Sequence, residues 1–226
     1  MTSVERSVYR VVETFVSING EGAKSGSLAL FIRFKGCNLH CDYCDTEWAN
    51  RDDAPYTEWT DDEIIDLVRE SKVKNVTLTG GEPLIQKDID KLIDRLITET
   101  DCRIEIETNG TISIEKWDGY YNNLSFTLDY KLPGSGVPHF AHTKNYGYLS
   151  EEDTVKFVCS NEEDLDVARV IEKYSLSEKC NVFLSPVFGK IEPSEIVDYM
   201  MKHRMNGVRL QLQLHKFIWD PEKRGV

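Results

Sequence analysis

Three cysteines inside eight residues constrain this chain more than any other feature. The stretch Gly36-Cys37-Asn38-Leu39-His40-Cys41-Asp42-Tyr43-Cys44-Asp45-Thr46 spaces them C-x3-C-x2-C, directly after the apolar run Leu28-Ala29-Leu30-Phe31-Ile32-Arg33-Phe34. The pattern predicts a loop leaving the end of a buried strand. Thiols this close along the chain are poor disulfide partners for one another, whereas thiolates on one loop can all face one metal centre. A cubane iron–sulfur cluster ordinarily takes four thiolates, and this loop offers three, which leaves one iron open to a small molecule. The competing reading of the stretch is a zinc site that adds His40 to the three cysteines. Against it, His40 and Cys41 are adjacent, and structural zinc sites space their ligands in separated pairs. The other cysteines, Cys102, Cys159 and Cys180, lie far apart and read as small buried hydrophobes.

A length of 226 residues suits one domain over 1–226 with a sizeable core. No apolar run approaches the roughly 20 residues that cross a bilayer, and Met1-Thr2-Ser3-Val4-Glu5-Arg6 lacks a signal-peptide core. The expectation is a cytoplasmic protein without a membrane partner, in a compartment that keeps the motif thiols reduced. A net charge of −12 argues against a nucleic-acid binder, which would carry a basic face.

Short β-rich segments at 11–16, 28–34, 73–78, 103–107, 124–128, 154–158, 182–184 and 208–212 read as strands. Apolar stripes after Thr60-Asp61-Asp62-Glu63, a capping-box pattern, and at 86–99, 161–174 and 192–203 read as helices. Residues 47–57 read as a loop. Alternating strands and helices predict an α/β fold with a mostly parallel sheet of about six or seven strands, an incomplete TIM-like βα barrel. Such folds place their sites at the C-terminal edge of the strands. The motifs expected there are Asn19-Gly20-Glu21-Gly22, the cysteine loop, Thr79-Gly80-Gly81-Glu82-Pro83, Thr108-Asn109-Gly110, Asp129-Tyr130-Lys131, Ser185-Pro186-Val187-Phe188 and His215-Lys216. The glycines allow close backbone approach to a ligand, and Glu82 could accept a hydrogen bond from a cationic amine. Arg33 is the lone charge on an apolar strand. Its fork suits a substrate carboxylate, and a structural ion pair is the alternative. Asp45 and Thr46 offer the oxygen that a hard divalent ion prefers.

Together these residues resemble the radical S-adenosylmethionine (SAM) superfamily, in which an aromatic residue such as Tyr43 precedes the last cysteine. Within it they resemble the 7-carboxy-7-deazaguanine synthases over nearly the whole chain. The resemblance rests on 17–22, 31–39, Cys44-Asp45-Thr46, Thr79 to Pro83, Glu107-Thr108-Asn109-Gly110 and Gln213-Leu214-His215-Lys216. It implies a [4Fe-4S] cluster on Cys37, Cys41 and Cys44, SAM on the open iron, and Mg2+ on Thr46. It implies that the reduced cluster cleaves SAM, and that the resulting 5′-deoxyadenosyl radical takes a hydrogen from 6-carboxy-5,6,7,8-tetrahydropterin. The ring then contracts to 7-carboxy-7-deazaguanine with loss of ammonia. By position, SAM would be lined by Tyr43, Cys44, Asp45, Gly81, Glu82, Glu107, Asp129, Tyr130, Lys131 and Ser185 to Phe188. The pterin would meet Ile18, Asn19, Gly20, Glu21, Arg33, Thr79 and His215, with Val226 as a terminal-carboxylate candidate. An electron donor such as flavodoxin and a homodimer complete the implied partners. One departure is Asn19, where the family usually carries glutamine. Two other functions compete. A radical SAM activase that puts a glycyl radical on a partner protein would give Arg33 and Asp45-Thr46 no purpose. A zinc-binding interaction module would need the His40 site.

Overall fold

The structure is a computed structural model that describes residues 6–119, 122–137 and 142–226. Most of the stretch read for a leader, 1–5, lies outside the described residues. The described chain runs β1 (Val8–Ile18), β2 (Leu28–Phe34), α1 (Glu47–Asn50), β3 (Thr57–Thr60), α2 (Asp61–Ser71), β4 (Asn75–Gly80), α3 (Ile89–Glu99), β5 (Arg103–Thr108), β6 (Leu124–Tyr130), β7 (Thr154–Cys159), α4 (Glu162–Ala168), α5 (Val170–Lys173), β8 (Asn181–Pro186), α6 (Pro193–His203), β9 (Arg209–Leu210) and α7 (His215–Ile218). Among the described residues one sheet of nine strands has the order β3-β1-β2-β4-β5-β6-β7-β8-β9. From β2 to β9 every neighbour pair is parallel. β1 and β3 form an antiparallel margin. The ends β3 and β9 do not pair with each other, so the expected incomplete barrel is the fold found.

Successive side chains on a strand point to opposite faces, and here the two faces differ in kind. Leu30, Ile32 and Phe34 of β2, Val76 and Leu78 of β4, Ile104 and Ile106 of β5, and Val155 and Phe157 of β7 join the buried apolar core. That core also takes Ile64, Ile65 and Val68 of α2 and Leu92, Ile93 and Leu96 of α3. The alternate positions are Arg33, Thr77, Thr79, Glu105, Glu107, Ser125, Thr127, Asp129 and Lys156. A parallel sheet packed on both faces would read as continuous apolar runs. These strands alternate, so their second face is a polar concave wall.

The capping box before α2 forms as expected: Thr60 N donates to Glu63 Oε2 at 2.7 Å and Glu63 N to Thr60 Oγ1 at 3.3 Å. Other expectations change in extent. The 86–99 helix begins only at Ile89, because Asp88 takes a left-handed φ of 59°. The 161–174 helix keeps its Asn161 cap and divides at Arg169. Within 47–57, expected as loop, stands the single turn of α1, and at its end β3 begins. β3 exists through pairing with β1, Val8 opposite Thr60 and Val11 opposite Thr57, a long-range contact that its polar sequence does not announce.

One motif was expected at the wrong edge. β1 is antiparallel, so Ile18 lies opposite Leu28, at the start of β2. The turn that follows enters the concave wall from the strands' N-terminal side. There Lys24 Nζ donates to Ser125 Oγ at 2.7 Å and Gly22 N to Gln211 Oε1 at 2.8 Å.

Candidate functional site

The cysteine loop leaves β2 through Gly36, whose φ of 94° suits glycine. Its other anchors are Asp42 N on Ser135 O at 2.9 Å and the Tyr43 hydroxyl on Val158 O at 3.4 Å. Cys37, Cys41 and Cys44 are half-buried and His40 is exposed. Two of the sulfurs receive N–H groups: Cys37 from Leu39 N at 3.4 Å and Asn109 Nδ2 at 3.7 Å, and Cys44 from Asn50 Nδ2 at 3.9 Å. Burial pushes the Cys41 and Cys44 thiols up, while the Lys131 ammonium pulls them down. Metal coordination deprotonates such a thiol outright. Among the described residues no three His, Cys, Asp or Glu side chains gather on one point as a single ion needs. A cubane would instead take one thiolate on each iron it binds, so the three thiols need not meet on one point, and N–H donors to their sulfurs are usual. The donor set fits a cubane.

Two glycines bring the next loop onto this one. A Cβ on Gly80 would collide with the Phe34 backbone, and one on Gly81 with Gly36 O. What these glycines admit first is therefore the root of the cysteine loop, not a ligand. Gly81 N and Glu82 N then donate to Phe34 O and Gly36 O at 3.1 and 2.9 Å. Glu82 is 0% exposed. Its Oε1 accepts from Leu84 N (3.0 Å) and Thr108 Oγ1 (2.8 Å), and its Oε2 from Asn109 N (2.7 Å). Burial pushes its carboxyl up against the pull of those three donors. An ionised carboxylate has about four lone-pair positions, so the role expected for Glu82, acceptor to a cofactor amine, is largely pre-empted. It clamps the loop after β4 to the loop after β5, and Asn109 Nδ2 carries the clamp to Asn38 Oδ1 at 2.8 Å. Glu82→Ala, which strips an acceptor from three buried donors, is expected to cost roughly 3 kcal/mol or more, read as a lower urea midpoint.

The concave wall carries a charged network. Lys156 Nζ lies 3.1 Å from Glu21 Oε2 and 4.0 Å from Asp129 Oδ2, and Lys131 Nζ lies 2.7 Å from Asp129 Oδ2. Ser185 Oγ donates to Glu21 Oε1 at 3.2 Å. Burial alone would raise the Asp129 carboxyl, but Lys131 and Lys156 hold it below the usual range. Glu107 is pushed up to about 7, first by burial, with Glu105 and Glu21 adding and Lys156 and the Thr79 hydroxyl opposing. A carboxyl raised from 4.5 to about 7 on folding binds a proton in the native state, so its ionisation removes stability as pH climbs through that interval. Relative to Glu107→Gln, the metal-free protein is expected to lose roughly 2 kcal/mol across it, read from urea unfolding at its two ends.

Gly20 and His215, far apart in sequence, meet: a Cβ on Gly20 would collide with His215 Nδ1, and Leu214 N donates to Gly20 O at 3.1 Å. Burial holds the His215 imidazole below its usual range. Arg33 stands opposite Thr79 in the sheet, and its Nε is 2.8 Å from Glu13 Oε1, the structural ion pair weighed above. That contact takes Nε and does not involve the terminal nitrogens. Asn19 is 3% exposed and each end of its amide holds a partner, Nδ2 on Glu105 Oε2 and Oδ1 on the Thr77 hydroxyl, each at 3.1 Å. Those two bonds staple the turn to the wall.

Some expected residues point elsewhere. Tyr130 packs on Phe157, ring centroids 4.9 Å apart, because its strand parity is opposite to that of Asp129. Ser185 joins Glu21, Pro186 is buried, Val187 N donates to Cys159 O at 2.8 Å, and Phe188 sits at the surface beside Phe217. Thr46 Oγ1 donates to Asp45 Oδ1 at 2.9 Å and is not used to cap α1. Arg224 stacks on Trp48 of α1 at 4.1 Å, which returns the last residues, with half-buried Val226, towards the cysteine loop. Sequence reasoning gave no site role to Lys156, Glu105, Glu13 or Asn50. The alternating charges of β5 and the lone lysine inside apolar β7 were the signal for the first two.

The family model described as the radical SAM superfamily matches residues 31–129. A 7-carboxy-7-deazaguanine synthase of Clostridium acetobutylicum is 53% identical over 219 residues, covering 96% of this chain and 99% of the relative. Those of Chlorobaculum tepidum and Methanospirillum hungatei are 34% and 36% identical and cover 96% and 97% of this chain and 96% and 89% of their own. Among solved structures, QueE from Escherichia coli superposes with a TM-score of 0.69 at 19% identity, over 91% of this chain and 94% of that one. Streptococcus suis SuiB, bound to S-adenosylmethionine, gives 0.57 at 14% identity, over 80% of this chain and 48% of that one. At those identities the two structures bear on the fold alone.

Proposed function

The chain belongs to the radical SAM superfamily and, within it, to the 7-carboxy-7-deazaguanine synthases, and from that premise we propose how its own residues divide the work. It is a radical SAM enzyme of deazapurine biosynthesis that turns 6-carboxy-5,6,7,8-tetrahydropterin into 7-carboxy-7-deazaguanine. The cluster and SAM, when bound, supply one-electron cleavage chemistry; the protein binds, orients and excludes water.

Cys37, Cys41 and Cys44 hold the cluster. The observation that carries the reading is the position of these thiols: at the C-terminal edge of β2, beneath the Gly81 and Asn109 loops, and next to a wall that reaches from Lys131 and Asp129 through Lys156 to Glu21. Lys131, Asp129, Glu107 and Tyr43 flank SAM, and Glu107, poised near 7, can hold or release a proton there. Glu21, Gly20, Thr79 and His215 face the pterin. Arg33 directs its terminal nitrogens to the substrate carboxylate while Glu13 fixes Nε. Thr46, with Asp45 beside it, holds Mg2+ through oxygen. A cytoplasmic setting, an electron donor such as flavodoxin, and a homodimer complete the proposal.

Incubation of reconstituted protein with the carboxytetrahydropterin, SAM and a reductant tests the function. A deazapurine product at the expected mass supports it, and SAM cleavage without that product contradicts it. Arg33→Ala is expected to keep SAM cleavage and raise the pterin Kd about tenfold or more, the value of a hydrogen bond to a charged group. An unchanged Kd would leave Arg33 a structural ion-pair residue.

A further inference from the structure

The barrel is open between its two margins: among the described residues β9 pairs with β8 alone, and the β1–β3 margin lies at the other end of the sheet. The segment that leaves β9 nevertheless reaches the turn that leaves β1. Gln211 N continues the strand pairing to Leu184 O at 2.9 Å, and its side chain faces the turn. Oε1 accepts from Gly22 N at 2.8 Å, and Nε2 donates to Gly22 O at 3.2 Å. One amide thus matches both backbone groups of one glycine, as a neighbouring strand would. Gln211 is 6% exposed, and Gly22 lies 189 positions away. Two further contacts follow in register. Gln213 Nε2 lies 3.5 Å from Glu21 Oε2, and Leu214 N donates to Gly20 O at 3.1 Å. Glu21, held between them, joins the wall through Lys156 Nζ at 3.1 Å and Ser185 Oγ at 3.2 Å.

We propose that Gln211 is a positioning residue for the substrate: its side chain closes the open side of the barrel, and by fixing Gly22 it sets where Glu21 meets the pterin. The assignment deepens the reading above and rests on it, since it takes Glu21 as a pterin-facing group. Glu21 directly precedes Gly22, so a turn released at Gly22 carries Glu21 with it. Buried backbone N–H and C=O groups are nearly always paired, and each is costly to leave unmatched. Without the Gln211 amide the turn must therefore shift to find other partners. No atom of Gln211 needs to touch the substrate for this.

The test is a double-mutant cycle on anaerobically reconstituted, SAM-loaded protein without reductant. The Kd for the carboxytetrahydropterin is read by calorimetry in wild type, Gln211→Met, Glu21→Gln and the double variant. Gln211→Met keeps the volume and removes both bonds. It is expected to raise the Kd about tenfold in the wild-type background. In the Glu21→Gln background the rise is expected to fall below about twofold, because groups that act through one another are not additive. A merely structural residue would lower the urea midpoint and shift the two backgrounds alike. Should Gln211→Met not fold, Gln211→Glu takes its place. It keeps the acceptor for Gly22 N, loses the donor to Gly22 O, and is expected to raise the Kd about threefold with the same dependence on Glu21. An unchanged Kd in the wild-type background, or an equal rise in both backgrounds, overturns the proposal. A Glu21→Gln Kd equal to that of wild type contradicts the parent assignment of Glu21 and takes this one with it. A weakened Glu21→Gln beside an unweakened Gln211→Met contradicts Gln211 alone.

Discussion

Cys41→Ala protein, reconstituted anaerobically, is expected to hold no stable cubane and to form no 5′-deoxyadenosine from SAM. The loop supplies only three thiolates and the remaining corner is left for a small molecule, so a further loss leaves two anchors for four irons. The other cysteines cannot substitute: Cys102, Cys159 and Cys180 are buried, and burial pushes the Cys159 thiol out of reach and the Cys180 thiol up to about 12. The fold should survive. Cys41 is half-buried and outside the apolar core, and a change at such a place ordinarily costs within about 1 kcal/mol. Iron and sulfide analysis beside urea unfolding reads both halves of this expectation. A variant that retains the full cluster removes Cys41 from the ligand set.

Lys156→Met is expected to have the next largest effect, and a different one. Its ammonium lies between Glu21 and Asp129 and also faces Glu107, and those carboxylates hold it well above its ordinary pKa although burial works against them. Removing one member of a buried ion pair leaves the other charges uncompensated and costs roughly 3–5 kcal/mol. Glu107 would lose a cation that lowers its pKa, so its proton should be held more tightly. Product formation should fall on the order of a hundredfold, the usual worth of a well-placed acid–base group. The iron content should stay at the wild-type level, because Lys156 makes no hydrogen bond or ion pair to the cysteine loop. Parallel loss of iron and product would place Lys156 in the cluster site and contradict the division between the two ends of the wall.

The chemistry of the cluster was legible in the sequence because it is local. Cys37, Cys41 and Cys44 need only a loop and a strand end, and spacing encodes both. The helices at 61–71 and 193–203 were legible for the same reason, the first through Thr60-Glu63 and the second through its apolar stripe, read as 192–203. The wall was half-written: Arg103-Ile104-Glu105-Ile106-Glu107 alternates, and alternation gives the parity of a strand. It does not give the neighbour across the sheet. That Lys156 would meet a glutamate 135 positions away, or that His215 would close on Gly20, follows from strand order, a long-range property. Strand direction misled in one place, since the antiparallel course of β1 sends Asn19 to Gly22 in from the opposite edge. Glu82 and Asn19 show a second limit. A polar residue in a glycine-rich turn reads the same whether it awaits a ligand or already satisfies buried donors, and only the packed structure separates the two.

The most direct test is the EPR spectrum of the dithionite-reduced, reconstituted protein with and without SAM. Three thiolates around a cubane with one open iron predict a [4Fe-4S]+ signal whose shape changes when SAM is added. A protein that gives no such signal, or one whose signal SAM leaves unmoved, would contradict the account.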